Sequence, residues 1–213
     1  MKMVYIYKRF ERFWHWSQAG LIIFLAFTGF EVHDAYHFFG FEHAVRYHRV
    51  AAYLLLILTA FSIFWHLTTD EWRNYIPTVK NLRAQIEYYT KGIFHGAPHP
   101  FRKNALQKLN PLQVLTYLGF KLFLIPLTVG SGLLYMFQKW FDANDTVVVS
   151  DISLETVAVV HTLGGYLLLA FLVVHIYMTT TGHSLLSNIR AMITGYEEIE
   201  DASAKETSEE QHL

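Results

Sequence analysis

The stretch VAVVHTLGGYLLLAFLVVHIYMTTTGH, residues 157–183, decides how this chain is read. It holds no Asp, Glu, Lys or Arg and runs longer than the ~20 apolar residues that cross the ~30 Å hydrocarbon core of a bilayer. Two histidines interrupt it, His161 and His175, and a third, His183, closes it. At 100° and 1.5 Å per residue the spacing of the first two is about 40° short of four full turns and about 21 Å along the axis. Both therefore face one way, one near each membrane surface. Ionisable side chains inside a span are costly and mark function by default, facing the interior of a bundle.

Three further apolar blocks stand upstream. They are WHWSQAGLIIFLAFTGFEV (14–32), YHRVAAYLLLILTAFSIFWHL (47–67) and LQVLTYLGFKLFLIPLTVGSGLLYMF (112–137), the last with a kink expected at Pro126. The fourth span is expected over Leu154–Thr181. Blocks this long exclude barrel strands, so the backbone must satisfy itself as helix. The first block has no small-residue cleavage site after it and is expected to stay as a helix. The expected fold is all-α: a four-helix transmembrane bundle over residues 1–195, with a long loop between the second and third helices. Residues 196–213 read as a polar, acidic tail without fixed structure. Within the loop, IPTVKNLRAQIEYYTKGIF (76–94) reads as a helix lying on the membrane surface, or as an ordinary ordered loop.

Composition agrees. The chain is 53% hydrophobic and 16% charged, against about a quarter charged in an ordinary soluble domain. It has no cysteine, which excludes iron–sulfur ligation and covalent haem attachment through Cys-x-x-Cys-His. A net charge of −1 gives nucleic acid no footing. Of the 17 Lys and Arg residues, thirteen fall on one side of a four-span chain: Lys2, Lys8, Arg9, Arg12, Arg73, Lys80, Arg83, Lys91, Arg102, Lys103, Lys108, Arg190 and Lys205. That bias puts both termini of a multi-pass membrane protein in the cytoplasm. Trp14, Trp16, Trp65, Trp72 and Trp140 fall at the expected helix ends, as interfacial aromatics do.

Twelve histidines are the chemical oddity. On this topology His15 opens the first helix on the inner side and His48 opens the second on the outer side. The fourth helix runs inward, so His161 is outer and His175 inner. Depth then pairs His15 with His175 and His48 with His161, each pair able to hold one six-coordinate haem iron. Gly20, Gly29, Gly164 and Gly165 offer a flat macrocycle close approach to the backbone. Arg12 and Lys8 near the inner pair, and Arg46 and Arg49 near the outer pair, are candidates for haem propionates. His66 is a second candidate for the inner site, since it lies five full turns after His48. His33 and His37 have a spacing that suits zinc, but their loop offers no third ligand; solvated loop residues are the simpler reading of them and of His43. His95, His99 and His183 read as surface residues.

These residues resemble a known family. RFWHWSQAG (12–20), VRYHRVAA (45–52), LNPLQ (109–113) and VVHTLGGYLLLAFLVVHIY (159–177) are similar to the cytochrome b subunits of bacterial respiratory oxidoreductases. These include the formate dehydrogenase gamma subunit, the nickel–iron hydrogenase cytochrome b and, most closely, the thiosulfate reductase cytochrome b subunit. The resemblance covers roughly residues 8 to 195. It implies two haem b groups, ligated by His15 with His175 and by His48 with His161. It also implies a menaquinone or ubiquinone site near the inner haem, formed partly by the stretch with Asn110 and Gln113. From the residues alone, Asn110 before Pro111 reads as a helix cap, and both roles are compatible. The outer-loop histidines and the longer loop depart from the formate dehydrogenase pattern.

The function expected is electron transfer between a membrane quinol pool and a periplasmic partner. That partner would be a catalytic or electron-transfer subunit, such as a molybdenum enzyme with an iron–sulfur protein or a multihaem cytochrome c. Two alternatives stand beside it: a free-standing transmembrane haem reductase fed by a soluble donor, and a haem-free membrane anchor or transporter.

Overall fold

A computed structural model describes residues 2–76, 81–97, 109–143, 153–182 and 184–199, without the side chains of residues 2, 74, 75, 93, 139–143 and 199. Lys80, His99, Arg102, Lys103, Lys108, His183, Lys205, the side chains of Lys139 and Trp140, and the tail beyond Ile199 lie outside the described residues.

The first helix, α1, spans Arg9–Val32. It begins five residues before the apolar block because the Lys8 N–H donates to Glu11 Oε2 at 2.6 Å, which satisfies an otherwise unpaired donor of the first turn. At the other end, Glu31 organises the turn into α2 (Phe41–Thr68). Its buried Oε1 accepts the N–H groups of Phe38, Phe39 and Gly40 at 2.6–2.7 Å. Gly40 has φ +83°, a conformation that costs glycine nothing. Extending α2 back to Phe41 places His48 two turns inside the helix rather than at its first residue.

Of the segment expected to lie on the surface, Leu82–Thr90 is helical (α3) and Ile76 is extended. The third apolar block divides into α4 (Pro111–Gly119), a π-helical turn over Phe120–Leu124 and α5 (Ile125–Ala143). The irregularity lies just before Pro126. Proline has no N–H for the carbonyl of Leu122 and its ring crowds that carbonyl. The wider turn relieves both. The fourth block is α6, Leu154–Thr179, capped by Ser153 Oγ accepting the Thr156 N–H at 3.1 Å.

Among the described residues three helices are long and apolar enough to cross a membrane: Phe41–Thr68, the α4–α5 unit to Gln138, and Leu154–Thr179. No more than 17% of any of these apolar windows is buried within the chain. Phe61, Phe64, Phe123, Val173 and Ile176 all point outward, which suits a lipid solvent and not water. Helix α1 has 24 residues, but Arg9, Glu11, Arg12, His15, Ser17 and Gln18 lower the apolarity of its first half.

Helix α1 lies along α2, and α5 along α6. Close approach of the second pair depends on Gly164, where a Cβ would collide with Thr128 of α5. The Tyr53 hydroxyl meets Met136 Sδ at 3.1 Å and ties α2 to α5.

The two ends of the described chain meet in a small clasp that the sequence pattern did not announce. Strand β1 (Lys2–Tyr5) pairs antiparallel with β2 (Tyr196–Ile199), Met3 opposite Glu198. Residues 196–199, read from sequence as the start of an unstructured tail, are thus ordered. Before β2 comes the short amphipathic helix α7 (Ser187–Thr194). Its last carbonyls are satisfied by α1: Arg12 Nη1 donates to Ile193 O at 2.6 Å and Trp16 Nε1 to Met192 O at 3.1 Å.

Candidate functional site

Two pairs of imidazoles face each other between helices. His15 of α1 and His175 of α6 have ring centres 6.1 Å apart. His48 of α2 and His161 of α6 have ring centres also 6.1 Å apart. All four rings are half-buried. Two imidazoles ligating one metal from opposite sides, at about 2 Å per metal–nitrogen bond, put their ring centres about 6 Å apart. Both gaps match that span.

The outer pair is oriented by hydrogen bonds. His161 Nδ1–H donates to the carbonyl of Thr128 at 2.9 Å, with Ser131 Oγ at 3.4 Å. His48 Nδ1 lies 3.0 Å from Thr28 Oγ1. Thr28 is fully buried and donates its own proton to Phe24 O at 2.9 Å, so it accepts from the ring. Both rings thereby carry their proton on Nδ1 and keep the Nε2 lone pair for a metal, the usual support of a ligating histidine. Gly132 makes room for His161, since a Cβ there would stand 2.9 Å from Cε1. A Cβ on Gly29 would touch the His48 ring at 3.5 Å.

The inner pair is framed by aromatics. The Phe171 ring stacks on His175 with centres 5.9 Å apart and planes 11° apart, Phe120 stacks on Phe171 at 4.3 Å, and Tyr117 stands 6.3 Å from His175. His15 Nδ1 is buried and has no hydrogen-bond partner among the described residues. Buried polar atoms in folded chains are nearly always paired or ligating. The paired rings and this orphaned nitrogen fit a haem iron.

Other candidates fall differently. His66 donates Nδ1–H to Ser62 O at 2.7 Å and packs between Trp14 and Trp65; the ring meeting His175 is that of His15. Gly20 is not beside the paired rings. It lines an open apolar groove of about 740 Å³ with Phe13, Trp16, Leu54 and Phe61. Five residues after His15, it lies about 140° around the helix. Lys8 pairs with Glu71 at 2.6 Å, and Arg12 is bonded to α7. Arg46 and Arg49 are exposed on α2 close to His48 in sequence. His33 Nε2 meets Thr162 Oγ1 at 3.2 Å, and His37 lies 3.4 Å from Asp34. Among the described residues no group of three His, Cys, Asp or Glu is placed to hold a metal ion.

Asn110 and Gln113 form a reciprocal cap. Asn110 Oδ1 accepts the Gln113 N–H at 2.8 Å, and Gln113 Oε1 accepts the Asn110 N–H at 3.0 Å. Asn110, only 2% exposed, also donates Nδ2–H to the Tyr89 hydroxyl at 3.2 Å. Burial pushes the Tyr89 phenol above its ordinary range, against the pull of that bond. Tyr117 lies one turn beyond Gln113 on α4, with its ring centre 6.3 Å from that of His175. Thr28, Thr128, Ser131, Gly132, Tyr89 and Tyr117 were not singled out by the sequence reading.

Facing imidazole pairs in a bundle of apolar helices define a b-type membrane cytochrome. The chain belongs to the prokaryotic cytochrome b561 family, whose model matches residues 6–195. It is 28% identical over 205 residues to "Putative cytochrome YdhU" of Escherichia coli (strain K12), an alignment covering 91% of this chain and 74% of that protein. No solved structure matches it. The protein is therefore a haem b membrane electron-transfer protein, as the resemblance read from the sequence implied.

Proposed function

We propose that the chain is a di-haem subunit with four membrane spans that exchanges electrons between a membrane quinol pool and a partner oxidoreductase on the periplasmic face. The observation that carries this reading is the repeated geometry. Two histidine pairs share one separation, 6.1 Å, and their α6 members stand about 21 Å apart along one helix. When bound, haem at each pair supplies a one-electron carrier.

The residues divide the work. His15 and His175 hold the inner site, and His48 and His161 the outer. Thr28 and Thr128 hold the outer rings in the tautomer that presents Nε2. Phe171 and Phe120 keep water from the inner ring. Arg46 and Arg49 offer cations to propionates at the outer surface. Asn110, Gln113 and Tyr117 line the approach to His175 with donors suited to a quinone carbonyl. Their role there is shared with capping α4.

The first 12 residues and the Leu82–Asn110 region carry most of the Lys and Arg, which supports cytoplasmic termini in a bacterial inner membrane. The clasp of β1 with β2 brings the two ends to one side, in keeping with an even number of spans. The periplasmic partner would be an iron–sulfur protein or a multihaem cytochrome c. Haem stoichiometry tests the core of the proposal. Purified protein should carry two haems b per chain, all removed by acid–acetone; one haem per chain, or haem that resists extraction, refutes it.

A further inference from the structure

We infer that Lys121 is the cation that binds a propionate carboxylate of the inner haem. The inference rests on the di-haem reading above and adds a residue to it.

Lysine inside a membrane span is expensive, and such residues are placed where they act. Lys121 lies in the π-helical turn Phe120–Leu124. Single π turns are rare and concentrate at functional sites. This one sets its residues on both flanks of the inner histidine pair. On one flank, Phe120 stacks on Phe171, and Phe171 stacks on His175. On the other, Lys121 Nζ stands 5.3 Å from the centre of the Trp14 ring. Trp14 is the residue before His15, and its ring meets His66 edge-on at 5.7 Å. Phe120 thus reaches the His175 ring through Phe171, while Lys121 meets Trp14, the neighbour of His15 in the chain. A haem held between the His15 and His175 rings would take Lys121 as the cation offered from the third span.

The cations that sequence alone offered to the inner propionates, Lys8 and Arg12, stand at the start of α1. Lys8 pairs with Glu71 at 2.6 Å, and Arg12 Nη1 donates to Ile193 O at 2.6 Å. A propionate carboxylate entering this apolar region needs a charge-assisted bond to offset its desolvation. Lys121, half-buried on the third span with a flexible four-carbon stem, can give one. A positive charge at this place also favours the reduced haem, which carries one positive charge fewer at iron. Lys121 then holds the inner haem at a higher potential than a neutral residue would.

The test uses the full-length protein with haem labelled at the propionate carboxyl carbons. Wild type, Lys121→Met and Lys121→Arg are compared by haem content, spectroelectrochemical titration and redox-difference infrared spectroscopy. In Lys121→Met both haems stay. The labelled carboxylate band of the inner haem (the haem absent from His175→Ala) shifts, and its midpoint falls while the outer haem titrates as before. Lys121→Arg restores both signals toward wild type. An unmoved band overturns the pairing even if the midpoint changes, because a distant charge alone would move the midpoint. If Lys121→Met loses the inner haem, retention in Lys121→Arg supports the pairing and loss from both overturns it. A wild-type stoichiometry below two sinks the di-haem reading itself. Two haems with an unmoved band sink only the role of Lys121.

Discussion

Gly132 passes so close to His161 that a Cβ on it would stand 2.9 Å from the ring carbon Cε1 and 3.1 Å from Nδ1. The same ring donates Nδ1–H to Thr128 O, one turn earlier on α5. Helix α5 thus holds His161 by a hydrogen bond on one side and by the absence of a side chain on the other. Gly132→Ala should push the ring off its position at a cost of about 1–3 kcal/mol. The spectrum of the purified variant should lack the outer haem and keep the inner one. An unchanged two-haem spectrum would mean that the ring has room to yield.

Replacing His15 or His175 with Ala should remove one haem, and replacing His48 or His161 the other. His66→Ala should keep both, because the ring that faces His175 is that of His15, while His66 packs against Trp14 and Trp65. Pyridine haemochrome counts on the five variants settle the matter. Loss of the inner haem from His66→Ala with retention in His15→Ala would reverse the assignment.

Asn110 separates a cap from a quinone donor. Asn110→Ala should lower stability by about 1 kcal/mol through loss of the cap. It should also slow quinol-driven haem reduction while both haem spectra remain. Asn110→Ser keeps an oxygen for the Gln113 N–H but loses the Nδ2 donor. Its stability should be near wild type and its reduction as slow as that of the Ala variant. Wild-type kinetics in both variants would leave Asn110 a cap alone.

Glu31 gathers three N–H groups at the start of α2 on one oxygen. Glu31→Ala removes a charged acceptor from all three, which costs roughly 1.5–3 kcal/mol. Because α2 carries His48, thermal denaturation of this variant followed by absorption should release the outer haem before the inner. Simultaneous release at an unchanged temperature would count against this role.

The hydrogen bond to Glu71 raises the Lys8 ammonium above its ordinary value of 10.5. A raised lysine contributes stability that is fully present below its ordinary value and lost as pH rises through the raised one. Lys8→Met should therefore loosen the start of α1 and the β1–β2 clasp at neutral pH, by about 0.2–1 kcal/mol for so exposed a pair. The difference should vanish in strong alkali. Hydrogen exchange at Val4 and Tyr5 follows it, and equal protection in both proteins at pH 7 would show that the pair contributes nothing.

Much of this protein was legible before any coordinates. Helical rise and period are local, so the spacing of His161 and His175 fixed their common face and their separation in depth. Apolar length pointed to the membrane, and the alternating direction of successive spans set which histidines could share a level. Asn110 before Pro111 announced a cap because capping involves only neighbouring residues. Gly20 was misread although the same period was available: it sits well away from the His15 face.

What the tertiary structure alone decided lies between helices. Thr28 and Thr128 support His48 and His161 because of how each helix is rotated against its neighbour, and no spacing within one helix states that rotation. Lys121 reaches Trp14 only because a π turn changes the phase of the third span. The clasp joins Met3 to Glu198 through backbone hydrogen bonds, which any side chains of modest size permit. Ligand types and their depth follow from covalent order and helix geometry. The partners that orient them depend on packing between segments far apart in the chain, which local periodicity does not encode.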